Sequence, residues 1–211
     1  MITVRFLRRG LLAGAAVTAT LVLSACGGDD SPSGSGMDHG ATTAASGAPA
    51  SAAANDADVA FAQHMIDHHR QALQMAAMAE GRAADAGVKE LAGKIKGAQQ
   101  PEIDTMNQWL TAWGKPAMPG GSMAPDMPGM DHGAMPGMMS AADMTKLMGA
   151  KGAAFDKQFL TMMIAHHEGA VQMAQQEAAQ GSNADAKALA QKIVTDQQAE
   201  IASMRTMLEK L

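Results

Sequence analysis

The 211-residue chain has one cysteine, two tryptophans, four phenylalanines and no tyrosine. A lone cysteine, Cys26, excludes any disulfide within the chain, so its stability rests on a packed core. Aromatic rings are too few to fill that core, while methionine reaches 20 residues, far above ordinary usage. No stretch alternates apolar and polar residues as a half-buried strand would. No nucleophilic triad, phosphate-binding loop or CxxC motif occurs either, which removes the commoner catalytic classes. The one long apolar run, residues 11–23, is too short for a comfortable membrane-spanning helix.

That run follows Arg5, Arg8 and Arg9 and ends at Ser24-Ala25-Cys26. A basic region, a short apolar region and small residues at a cut site make a secretory signal over residues 1–25. LSAC before Gly-Gly-Asp-Asp resembles a bacterial lipobox, which predicts lipidation of Cys26 and a membrane anchor at the cell envelope. Arg8-Arg9 also matches a twin-arginine export signal, though poorly. Removing residues 1–25 takes away three arginines and no acid, leaving 13 basic and 21 acidic residues, a net charge of −8. Such a balance argues against nucleic acid as a partner.

Residues 26–54 are mostly Gly, Ser, Ala, Pro and Thr, a composition that cannot bury enough apolar surface to fold and predicts a tether. Beyond it the chain matches itself. Residues 61–110 align without a gap on residues 159–208 at an offset of 98, pairing Phe61 with Phe159, Met65 with Met163 and Met75 with Met173. Gln99, Glu102 and Met106 likewise meet Gln197, Glu200 and Met204. A self-match of this length means one helical hairpin used twice. The expected fold is all-α, an antiparallel four-helix bundle built from two hairpins, residues 55–113 and 153–211.

Asn55 or Asp56 caps the first predicted helix, with Gly81 ending it. The second, residues 84–113, contains Pro101, which predicts a kink or short break at residues 97–100; Ala199 in the other copy predicts a straighter helix. Residues 114–139 read as a mobile Gly/Pro/Met loop, and Ser140 with Asp143 opens a short helix over residues 140–150. The fourth long helix starts at an Asn183 cap.

Each copy carries adjacent histidines, His68-His69 and His166-His167. At about 100° per residue with His64 at zero, His68 falls near ~40° and His69 near ~140°. On the same wheel Met75 falls near ~20°, Phe61 near ~60°, Ala72 near ~80° and Met65 near ~100°. The histidines therefore flank one apolar stripe, and the second copy repeats the arrangement. Burying four imidazoles is costly unless each finds a partner, and one metal ion serves several at once. His64 pairs in the repeat with Met162, each one turn before a histidine. Met75 and Met173 lie close to His68 and His166 on the wheel. Glu102 and Glu200 are candidate ligands, or acceptors that fix an imidazole tautomer.

Core packing accounts for most helix methionines but not for those in Gly/Pro-rich segments. Met37 and His39 form an MDHG motif that recurs at Met130 and His132, alongside Met127, Met135, Met138 and Met139. Thioether with imidazole is a ligand set for Cu(I); zinc would recruit Cys or more carboxylate, iron fits less well, and calcium and magnesium need oxygen cages absent here. These segments read as auxiliary capture sites that raise the local ligand concentration.

FDKQFLTMMIAHHEGAVQMA at residues 155–174, with QQAEIASM at 197–204, resembles the signature of the domain of unknown function 305 family. The resemblance covers about residues 55–211 in both halves. It implies an exported bacterial protein with a ferritin-like helical bundle and metal binding, with copper handling or resistance in some members. The first copy departs from the signature: Asp67 replaces the small residue before the histidines, and Arg70-Gln71 replace Glu168-Gly169.

The leading expectation is thus an extracytoplasmic copper-binding lipoprotein that sequesters Cu(I) or passes it to a partner protein. A ferritin-like di-metal oxidase would need Glu-x-x-His on two helices, whereas Met65-Ile66 and Met163-Ile164 precede the histidine pairs. A surface interaction module without metal is the remaining alternative.

Overall fold

The computed structural model describes residues 53–117 and 135–211. Five helices follow in order: α1 Asp56–Arg82, α2 Ala86–Ala112, α3 Ala141–Gly149, α4 Gly152–Gln180 and α5 Ala184–Leu208. All described regular structure is helical, as expected of an all-α bundle. No helix among the described residues is long and apolar enough to cross a membrane.

The starts of these helices follow from their caps. Asn55 Oδ1 accepts from Asp58 N at 3.0 Å while Asn55 N donates to Asp58 Oδ2 at 2.6 Å, a reciprocal capping box. Asp85 accepts from Val88 N, Ser140 from Asp143 N, and Asn183 from Asp185 N and Ala186 N. Gly81 does not end α1, which continues to Arg82; the following chain leaves in extended conformation at Ala83 instead. Nor does Pro101 break α2, which is continuous from Ala86 to Ala112. Both Pro101 and Gly97, whose carbonyl loses its donor, are exposed, so water replaces the missing bond.

Helix α1 packs on α2 and on α4, and α4 packs on α5. The two hairpins exchange carboxylates at their turns. Asp58 at the start of α1 accepts from Ser182 N and Asn183 N in the α4–α5 turn, at 3.1 and 2.9 Å. Asp156 at the start of α4 accepts from Ala84 N and Asp85 N in the α1–α2 turn, at 3.1 and 2.9 Å. Asp58 and Asp156 are themselves 98 positions apart, so α1 and α4 run antiparallel about a pseudo-two-fold axis.

The core divides into two apolar clusters along these helices. One holds Ala72, Met75 and Ala76 of α1 with Phe155, Phe159 and Met163 of α4. The other holds Phe61, Met65 and Ile66 of α1 with Ala170 and Ala174 of α4. On each helix the histidine pair falls between the two, so the polar layer occupies the middle of the bundle.

Candidate metal centre

All four paired histidines are buried, none more than 1% exposed. His68 of α1 and His166 of α4 face each other across the pseudo-two-fold, ring centroids 3.7 Å apart and planes at 39°. Neighbours on a helix diverge by about 100°, so the second ring of each pair points elsewhere. His69 Nε2 donates to Glu102 Oε2 of α2 at 2.9 Å, and His167 Nε2 to Glu200 Oε2 of α5 at 2.7 Å. The expected convergence of four rings is therefore a touching inner pair, with one outer ring on each side turned to a carboxylate. Among the described residues no three His, Cys, Asp or Glu side chains form a ready-made ligand cage.

Hydrogen bonding assigns the protons. His68 Nε2 lies 3.0 Å from Pro136 O; a carbonyl only accepts, so Nε2 carries the hydrogen and Nδ1 is left with its lone pair. The same logic at Glu102 and Glu200 leaves Nδ1 of His69 and His167 bare. Nδ1 of all four rings, and Nε2 of His166, have no hydrogen-bond partner. Leaving such groups buried and unpaired costs roughly 1–3 kcal/mol each, which a shared ligand would offset. Burial, then the neighbouring His69, pushes the His68 ring down to about 3. Burial and then His68 itself push His166 well below its ordinary value. Both inner rings are thus neutral, the form that binds metal. Burial acts to raise Glu102, but bonds from His69 and Lys192 hold it below its ordinary value, as a carboxylate.

Other polar groups repeat the symmetry. Gln99 and Gln197, one turn before Glu102 and Glu200, are buried, and both polar atoms of Gln99 and Oε1 of Gln197 lack partners. His64 is exposed on α1, whereas its counterpart Met162 is buried in the first apolar cluster. Met75 is fully buried in that cluster and Met173 is half-buried against the second.

The end of the segment expected to be a mobile loop is instead a strap laid over the inner pair. Besides the Pro136–His68 bond, Gln71 grips both backbone polar groups of Met139, Nε2 donating to Met139 O at 2.9 Å and Oε1 accepting from Met139 N at 2.7 Å. Gly137, at φ 76°, lies on the α4 backbone so closely that a Cβ would meet Ala165 O at 2.6 Å and His166 O at 2.9 Å. A Cβ on Gly169 would run into Pro136. Met135, Met138 and Met139 are half-buried in this strap. Cys26, Met37, His39, Met127, Met130 and His132 lie outside the described residues.

Three features were missed by sequence reasoning: the strap, the Asp58 and Asp156 turn caps, and Lys192, whose Nζ bonds Glu102 Oε1 at 3.1 Å. The offset of 98 relates Asp58 to Asp156 and was the available signal; a backbone carbonyl such as Pro136 O carries none.

No curated protein sequence matches the chain. A DUF305 protein from Streptomyces coelicolor is 34% identical, with TM-score 0.64, over 73% of this chain and 93% of that one. A DUF305 fragment from Deinococcus radiodurans is also 34% identical, with TM-score 0.66, over 75% of this chain and 99% of that one. CopM in its Cu(I)-bound form is 29% identical, with TM-score 0.59, over 72% of this chain and 96% of that one; CopM structures with Cu(II) and with Ag match as well. The model of the family described as Domain of unknown function (DUF305) matches residues 58–208, and the chain belongs to that family.

Proposed function

We propose that this chain is an exported copper-binding lipoprotein, anchored through Cys26, that holds Cu(I) at the His68–His166 pair for sequestration or transfer. The observation that carries this reading is the set of five buried imidazole nitrogens without a hydrogen-bond partner, three of them on the two rings whose centroids lie 3.7 Å apart. Neutral imidazoles bind divalent ions too, but a two-ring site with thioethers close by in sequence suits an ion content with few soft ligands. The likeness to CopM, solved with Cu(I), Cu(II) and Ag, supports the same choice, and export agrees with the basic-apolar leader.

In this reading His69 and His167 hold the inner rings in place, with Glu102 and Glu200 fixing their tautomers. Met135, Met138 and Met139 in the strap, and the methionines and histidines at 37–39 and 127–132, capture the ion and raise its concentration at the centre. Anaerobic titration of the protein with Cu(I) against a competing chelator tests it. Tight binding that disappears when His68, His69, His166 and His167 are all changed to alanine is the expected result; equal binding by both forms contradicts the proposal.

A further inference from the structure

In both halves the outer histidine meets a carboxylate, and the halves diverge where those carboxylates meet solvent. Glu102 is capped: Lys192 Nζ reaches its Oε1 at 3.1 Å while also bonding Asp196 at 2.7 Å. The repeat counterpart of Lys192 is Lys94, which would cap Glu200 in the same way. It does not. Lys94 pairs with Glu90 at 2.7 Å, one turn back along α2, and among the described residues no lysine or arginine pairs with Glu200.

The sequence explains the difference. Asp196, which holds Lys192 forward, has Ala98 as its counterpart, and Glu90, which draws Lys94 back, has Ala188. Where the lysine would stand, a groove of about 520 Å³ opens between α2 and α5, lined by Lys94, Ala199, Glu200, Ser203 and Met207 among others. The Glu200 side chain is 22% exposed against 10% for Glu102. Its Oε2 still touches His167 Nε2 at 2.7 Å, so one carboxylate spans from solvent to the buried layer.

We propose that this groove is the port through which a soft monovalent cation reaches the histidines, with Glu200 as the relay that meets it first; this rests on the metal centre proposed above. An ion leaving water for a buried site loses solvation, and a partly exposed carboxylate at the threshold offsets that loss. An ammonium bonded to the carboxylate itself repels a cation instead, so Lys192 keeps the Glu102 side shut. The lysines that line the groove, Lys94 and Lys210, leave Glu200 unbonded, and Asp85 and Glu90 stand beside them. Met207 places a thioether on the groove wall, a ligand type that soft ions accept.

The test is the rate at which the full-length protein takes Cu(I) from a weak chromophoric chelator under anaerobic conditions, measured beside the equilibrium affinity. Ser203→Trp fills the groove and should slow uptake about tenfold with affinity unchanged, since access alters rate without altering the bound state. Thr105→Trp, the equivalent change on the shut side, should leave the rate as in the wild type, and Lys192→Ala should raise it. Ala199→Phe repeats the plug from one turn away if Ser203→Trp loses helical circular dichroism. Wild-type uptake rates in both plugged variants, or equal slowing by Ser203→Trp and Thr105→Trp, would overturn the port. Unchanged affinity after loss of all four histidines would overturn the metal centre, and the port with it.

Discussion

Gln71 and Gly169 occupy the same place in the two repeat halves, and the strap over the inner histidines uses both. Gln71 bonds the Met139 N–H and C=O through its amide, and Gly169 leaves the space that Pro136 and Gly137 fill. The departure of the first copy from the family signature at this position is thus a division of labour across one segment.

Gly169→Ala tests that relationship. The added methyl meets backbone of the strap rather than a movable side chain, so the segment must lift. Overpacking of this kind costs about 1–3 kcal/mol, a fall in Tm of about 3–10 °C for a domain this size. A lifted strap also frees His68 Nε2 from Pro136, which shows as a changed His68 ring proton signal by NMR. An unchanged melt and an unchanged signal would contradict the docked strap.

The exchanged turn carboxylates each hold two backbone donors of the other hairpin. Asp58→Ala strands Ser182 N and Asn183 N, and Asp156→Ala strands Ala84 N and Asp85 N. Each loss should cost about 1–2 kcal/mol, because donors that are mostly only partly screened from water lose their partners. Denaturant melts of the two variants check the size, and an unchanged midpoint in both would contradict the exchanged caps.

One corner differs from its counterpart in carrying an extra acid. Glu177 is buried against Asp58, where the repeat has Ala79, and among the described residues no donor bonds its oxygens. Burial, then Asp58, pushes its carboxyl from 4.5 up to about 8, with Lys187 opposing. A carboxyl raised on folding takes up a proton in the folded state, so its stabilisation is complete below 4.5 and is lost as pH climbs through about 8. The inner histidines act the other way, since their lowered values withdraw stability as pH falls below 6.5. Between 6.5 and about 8, therefore, Tm should decline with rising pH, and Glu177→Gln should flatten that decline. A wild-type Tm that stays level or rises over that range would contradict the buried acid.

Much of this architecture was legible because duplication writes itself twice. The offset of 98 gave the two hairpins, the histidine layer and the Glu102 and Glu200 partners, and caps at Asn55, Ser140 and Asn183 fell where side-chain oxygens predict. What periodicity could not give was direction. Adjacent histidines share a stripe on a helical wheel, yet the helix forces one ring of each pair inward and the other toward a neighbouring helix. The strap escaped notice because Gly and Pro mark a turn without saying what it rests on, and its anchor is a main-chain oxygen. At Pro101 the expected break is absent: on an exposed face solvent can take the freed carbonyl, and α2 runs on.

The division into inner and outer rings predicts unequal effects on binding. His68→Ala with His166→Ala should abolish tight Cu(I) binding. His69→Ala with His167→Ala, which removes residues that support those rings, should weaken it about 10–100-fold. Competition titrations of the two double variants check the order, and a larger loss from the outer pair would reverse the assignment.

Locating the ion itself tests the central claim most directly. Crystals of the protein loaded with Ag(I), measured for anomalous scattering, should show a peak bonded to His68 and His166 beneath the Pro136–Gly137 strap. A peak elsewhere, with those two rings still in contact and uncoordinated, would contradict the account.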